Sequence, residues 1–213
     1  MEIKIEDLEK EGYHLQDVLS HDELVPFVRK IFRYPNIVTR TYSWLNIALL
    51  LGLIGLMVYE WMDGRSLGAV IGQLGWGMLL LMLIIPVHEG LHGLAYRCLG
   101  ATDIHYTANF KKFYFTAQAH HFIVQEQGFY LLAFTPFVLI NLLALLAMII
   151  LPTHYLLMLS AFLFMHTTAC GGDFALASYF YTQKNSGLLT FDDVPNKITY
   201  FYSLEKKEDE LSQ

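Results

Sequence analysis

Residues 67–96 read LGAVIGQLGWGMLLLMLIIPVHEGLHGLAY. No Lys, Arg, Asp or Glu interrupts residues 67–87, and then His88, Glu89 and His92 arrive within five positions. A helix needs about 20 consecutive apolar residues to cross the hydrocarbon of a bilayer. Inside lipid the backbone must satisfy its own hydrogen bonds, so helix is the form to expect. The stretch predicts a transmembrane helix that ends in a cluster of costly polar groups.

Working outward, residues 44–62, 128–151 and 155–172 are apolar runs of similar length, and the whole chain is 54% hydrophobic against 16% charged. That balance and its distribution favour a membrane protein over a soluble core. The expected fold class is an all-α membrane protein of four transmembrane helices, with a short β-hairpin-like loop between helices 2 and 3. Of the 14 Lys and Arg, six precede the first span, three lie between the second and third, and four follow the last; only Arg65 lies between the first and second. The positive-inside rule then puts both termini and the middle loop in the cytoplasm, as in a bacterial cytoplasmic membrane. The first forty residues are acidic and polar, without a signal-peptide pattern, so the N-terminus is expected to be kept. A net charge of −6 argues against nucleic acid as a partner. Cys98 and Cys170 both fall toward the cytoplasmic side, where a structural disulfide is not expected.

Three parts follow. In residues 1–40, Ser20 and Glu23 match a capping box, and Leu24, Phe27, Val28, Ile31 and Phe32 recur at helical spacing beside Arg29, Lys30 and Arg33. This predicts an amphipathic helix, either on the inner membrane surface or packed on the rest of the protein, with Pro26 inside it. Residues 41–182 form the four-helix core. In its middle loop Ile104, Tyr106, Ala108 and Phe110, then Phe113, Phe115 and Ala117, alternate with polar residues around Lys111 and Lys112, which reads as a hairpin. Residues 183–213 are a cytoplasmic tail with one alternating run, KITYFYSLE at 197–205, and a charged end.

His88, Glu89 and His92 spell H-E-x-x-H. On a helix, positions i and i+4 lie about 40° apart around the axis, so both imidazoles can face one metal ion. Glu89 lies close enough to hold the water that zinc acidifies. Ionisable groups in a span are expensive unless they face partners or a wet cavity, so three together need a common reason. A catalytic zinc site wants a third protein ligand. Asp173 is the only acidic residue of its apolar stretch, and its distance from the cytoplasmic end of that span matches the depth of His88 and His92. His166, Cys170, His120, His121 and Glu126 are the competing donors; His14, His21, His105 and His154 read as surface or interface residues. Gly171 and Gly172 would admit a close backbone or a break in the helix.

With HEGLH, the strand-like loop, AFTPFVLINLLALL and GGD in place, the chain resembles the site-2 protease class of intramembrane metalloproteases. More closely it is similar to small bacterial membrane proteins grouped as zincin peptidases. The resemblance covers roughly residues 67–181. It implies Zn2+ held by His88, His92 and Asp173, Glu89 as the base, and cleavage of a membrane-embedded or membrane-adjacent protein or peptide substrate in contact with the lipid bilayer. The class has an Asn and a Pro before its aspartate, whereas here two glycines precede it. Asn141 and His166 are therefore the candidates for stabilising an oxyanion or for backing a ligand. Ile104, Tyr106 and Phe115 are the candidate contacts for a substrate added as a strand, unless the hairpin only gates access. Beside the zinc peptidase stand two other readings: a non-enzymatic metal-binding or regulatory membrane protein that keeps the ligands, and a transporter with a histidine-lined path. An intact Glu89 speaks against the first, and the shortage of polar groups in the outer halves of the spans against the second.

Overall fold

Four apolar segments become helices, and the two ends of the chain become a sheet that closes one end of them. The computed structural model describes residues 4–109 and 114–204. Phe110, Lys111, Lys112 and Phe113, and the charged run from residue 205 on, lie outside the described residues. The long helices are α2 (Ile37–Met62), α3 (Leu67–Cys98) and α4 (Glu126–Ile150), preceded by a short α1 (Leu24–Arg33). By length and composition these three long helices can each cross a membrane. Leu51, Leu83, Leu143 and Ile149 on them are exposed, an apolar surface of the kind that lipid covers. The last apolar segment is broken: α5 (Leu156–Ala169) and α6 (Gly171–Thr182), bent by 43° at Cys170, together make a fourth candidate span.

Local chemistry sets these ends. Asn36 caps α2 by accepting from the backbone of Val38 and Thr39, and the Thr39 hydroxyl accepts from the Asn36 N–H in return, completing a capping box. The box expected at Ser20 and Glu23 does not form. Ser20 instead accepts from Asp22 to open a 3-10 turn at His21–Glu23, and α1 begins only after that turn. Pro26 sits in the first turn of α1, where no helical N–H is required. At the break in the last segment the Tyr42 hydroxyl donates to the Thr168 carbonyl at 2.7 Å, satisfying one carbonyl orphaned by the end of α5. The same hydroxyl lies 3.0 Å from where a Cβ on Gly171 would sit. A Cβ on Gly77 would meet the Met158 carbonyl at 2.8 Å and Ala161 at 2.9 Å, so glycine lets α3 and α5 approach closely and brings His88 near His166.

The structure is mostly helical, and the all-α expectation is corrected by the six strands among the described residues. A four-stranded antiparallel sheet runs in the order β1 (Tyr13–Ser20), β6 (Ile198–Leu204), β5 (Leu189–Asp193), β4 (Val124–Gln125). The expected hairpin is present as β2 (Ile104–Asn109) and β3 (Tyr114–Ala119), in a register that sets Thr107 against Thr116. The tail therefore holds two strands where the sequence shows one alternating run, and residues 13–20, which precede the expected amphipathic helix, form a third. β1 and β6 pair across nearly the whole length of the chain, a contact that neither segment signals alone. The sheet packs on the helices through one apolar cluster. In it Phe180 of α6 stacks on Phe129 of α4, with ring centres 4.1 Å apart, and also meets Phe201 of β6. α1 lays Leu24, Phe27 and Ile31 against the same cluster.

Candidate metal centre

α3 is longer than a bilayer is thick: 32 residues at about 1.5 Å each reach about 48 Å, against about 30 Å of hydrocarbon. Residues 67–87 use up the apolar length, and His88, Glu89 and His92 follow on the final third, beside the sheet. His88 and His92 stand one turn apart. Asp173 lies in the first turn of α6, where the helix dipole favours a carboxylate, and the break at Cys170 turns that helix so that Asp173 meets α3. His88 Nε2 is 3.1 Å from His92 Nε2 and 3.5 Å from Asp173 Oδ2, and His92 Nε2 is 3.3 Å from Asp173 Oδ1. A tetrahedron with bonds of about 2.05 Å has edges of about 3.3 Å. Each ring nitrogen thus faces its own Asp173 oxygen, and two imidazole nitrogens and a carboxylate gathered at about that spacing suit a zinc site, so the residues present fit the ion.

The other nitrogens of both rings are taken. His92 Nδ1 lies 3.0 Å from the Leu132 carbonyl of α4, to which it must donate. His88 Nδ1 lies 3.2 Å from His166 Nε2, His166 Nδ1 lies 2.8 Å from Asn141 Oδ1, and Asn141 Nδ2 donates to Thr167 Oγ1 at 3.0 Å. With the Asn141 amide nitrogen turned to Thr167 and its oxygen to His166, as the structure has them, the donors run in one direction: His166 donates to Asn141 and accepts from His88. Both metal-facing nitrogens are left as bare lone pairs, the form a metal requires. His166 and Asn141 thus stand behind a candidate ligand, His88. The Glu89 carboxylate accepts a hydrogen bond from the Ala117 backbone of β3, which ties the hairpin to the one acidic group of the motif.

The competing donors are dispersed. Cys170 Sγ is 3.9 Å from His166 Nε2 and, with His88, makes a second possible ligand group, but it is fully buried and would use the His88 nitrogen that faces His166. Glu126 accepts from Tyr130 at the start of α4. His120 and His121 gather with Asp193 in a separate group where β3 leads toward β4. Of the three hairpin candidates, Phe115 lines the cavity in front of the centre, Ile104 packs against the apolar cluster, and Tyr106 is exposed, with its hydroxyl where a Cβ on Gly93 would be.

That cavity measures about 750 Å³ and is bounded by the metal triad, β3, the underside of the sheet, and Leu24, Val28 and Phe32 of α1. Its wall contains a buried polar network absent from the sequence reading. His21, read there as surface or interface, accepts from Gln118 at 2.9 Å and lies 3.3 Å from the Thr199 hydroxyl; Thr199 donates to Asp192 at 2.6 Å, and Tyr96 reaches the other Asp192 oxygen at 3.4 Å. Burial lowers the pKa of His21, helped by Lys197. Burial also raises that of Asp192 to about 6, against the pull of its hydrogen bonds from Thr199, Gln118 and Tyr96. These residues come from β1's end, α3, β3, β5 and β6, so no local motif announces them.

A helix-borne pair of histidines with an adjacent glutamate and a distant carboxylate is the arrangement of a zincin-type metallopeptidase. The chain belongs to the family described as "Putative zincin peptidase", whose model matches residues 81–188. No curated protein and no solved structure matches it. The matched segment contains the four motif residues, the hairpin and the broken last helix; α1, β1, β5 and β6 lie outside it.

Proposed function

We propose that the protein is a zinc-dependent peptidase of the bacterial cytoplasmic membrane, with four spans and both termini in the cytoplasm. In this reading it cleaves intramembrane or juxtamembrane segments of membrane-associated proteins at a site opening to the cytoplasm. The observation that carries the reading is the convergence beside Glu89 of two ring nitrogens 3.1 Å apart, each within 3.3 to 3.5 Å of an oxygen of the Asp173 carboxylate. His88, His92 and Asp173 would hold the zinc, which would supply Lewis acidity for a water and for the scissile carbonyl. Glu89 takes the proton of the attacking water and passes it to the leaving nitrogen. Leu132 and His166 keep the two imidazoles in register.

A helical substrate must unwind before its carbonyls are free. β3 pairs with β2 on one side, and on the other its Ala117 N–H points at Glu89. An unwound peptide added along that outer edge lies beside the base, with Phe115 against its side chains. The hairpin then presents substrate rather than merely covering the site.

The test is elemental analysis together with cleavage of a membrane-anchored reporter, for detergent-purified wild type, Glu89→Gln and Asp173→Ala made without a polyhistidine tag. Zinc in the first two, its loss from the third, and turnover in the first alone support a peptidase. Metal bound by the wild type with no turnover in any of the three would leave a metal-binding protein in its place, and turnover undiminished in Glu89→Gln would remove Glu89 as the base.

A further inference from the structure

Two prolines lie inside the long helices, Pro86 in α3 and Pro136 in α4. A proline has no N–H, so in a helix the carbonyl four residues earlier loses its usual partner. For Pro136 that carbonyl belongs to Leu132, and it is the same carbonyl that lies 3.0 Å from His92 Nδ1. Leu132, Pro136 and His92 are all buried, so the freed oxygen has protein rather than bulk water to turn to. Resting on the zinc reading above, we infer that Pro136 is a positioning residue: by withholding an amide hydrogen it reserves the Leu132 carbonyl for His92, and so sets the tautomer that presents the His92 Nε2 lone pair to the metal.

The physical argument is a competition. A residue with an N–H at 136 would close the helical bond to Leu132 O along the helix axis. The His92 Nδ1–H would then share an oxygen already polarised and drawn into line with α4. The alternative tautomer, with its hydrogen on Nε2, points a donor where the ion must sit. Polar partners behind a ligating histidine are typically worth about 10–100-fold in metal affinity. A proline retained only for the bend of α4 makes a different forecast, because alanine is the better helix former and bending has no direct route to one imidazole nitrogen.

The experiment compares wild type, Pro136→Ala, and a variant with the α-hydroxy acid analogue of alanine at 136. The last restores a backbone ester without a ring and without an N–H. Zinc affinity is read by competition with a chromogenic chelator, the site geometry by the visible spectrum of the Co2+-loaded chain, and folding by thermal unfolding of the metal-free chain. The expected result is a zinc Kd weakened about 10–100-fold with an altered Co2+ spectrum in Pro136→Ala, recovery of both in the ester, and a metal-free Tm for Pro136→Ala no lower than wild type. Equal zinc affinity in Pro136→Ala and wild type overturns the inference, as does a loss that the ester fails to recover. A wild-type chain that binds no zinc overturns the zinc reading beneath it, a distinguishable failure.

Discussion

Among the described residues two groups are made of two histidines and one aspartate, and they are built in opposite ways. His88, His92 and Asp173 stand on two rigid helices, with donor atoms 3.1 to 3.5 Å apart and both rear nitrogens engaged by Leu132 and His166. His120, His121 and Asp193 sit at the join of the two sheets. There a left-handed backbone at His121, φ 53°, stacks the two rings 3.9 Å apart. His120 Nδ1 accepts a 3.3 Å bond from the Val194 N–H, which ligation through either ring nitrogen would forfeit. Composition is the same in both groups. What separates a metal centre from a cluster of ligating side chains is the partner behind each ligand, because that partner fixes the tautomer before any ion arrives.

The largest effect should come from Glu89→Gln, which removes a proton carrier without touching a donor: turnover falls about 10²–10⁴-fold while zinc content stays that of wild type. A loss of zinc in this variant would place Glu89 among the ligands and break the division of labour. Next, His166→Ala removes the group behind His88 and should weaken zinc about 10–100-fold, with Asn141→Ala weakening it less because it acts one bond further away. Unchanged affinity in both would mean that rear partners do not set the contrast between the two groups. Asp192→Asn is expected to act more modestly, on stability rather than on metal. The folded protein raises the Asp192 pKa to about 6, so the stability this group lends is fully present below the ordinary carboxylate range and lost as pH rises through about 6. Thermal unfolding of wild type relative to Asp192→Asn should therefore worsen by a few degrees between pH 4.5 and pH 7.5; a flat difference would refute it. The smallest effect belongs to the exposed group. His120→Asn combined with His121→Asn should leave zinc content after mild chelator dialysis unchanged, and a lost ion would promote that cluster to a second centre.

How far the sequence could be read follows from the range of each signal. The long apolar runs, H-E-x-x-H and the alternation of the hairpin are all local, carried within one helix or one pair of adjacent strands. Asp173 was reachable because depth in a membrane is measured in residues. The break at Cys170, allowed for by Gly171 and Gly172, needed the tertiary fold to give it an angle of 43° and a partner in Tyr42. The sheet was missed because β1 and β6 are each short and mixed in character, and become strands by pairing with one another from opposite ends of the chain.

By itself, then, the sequence determined the long apolar helices, the H-E-x-x-H pattern on one of them, and the hairpin, since hydropathy and helical or strand periodicity act over a few neighbouring residues. Only the tertiary structure decided which carbonyl and which imidazole stand behind His92 and His88, that His21 and Asp192 share a cavity wall with the metal centre, and that the chain's two ends close over it. Those are contacts between residues dozens of positions apart or more, selected by how the helices and the sheet pack rather than by anything in the adjacent chain.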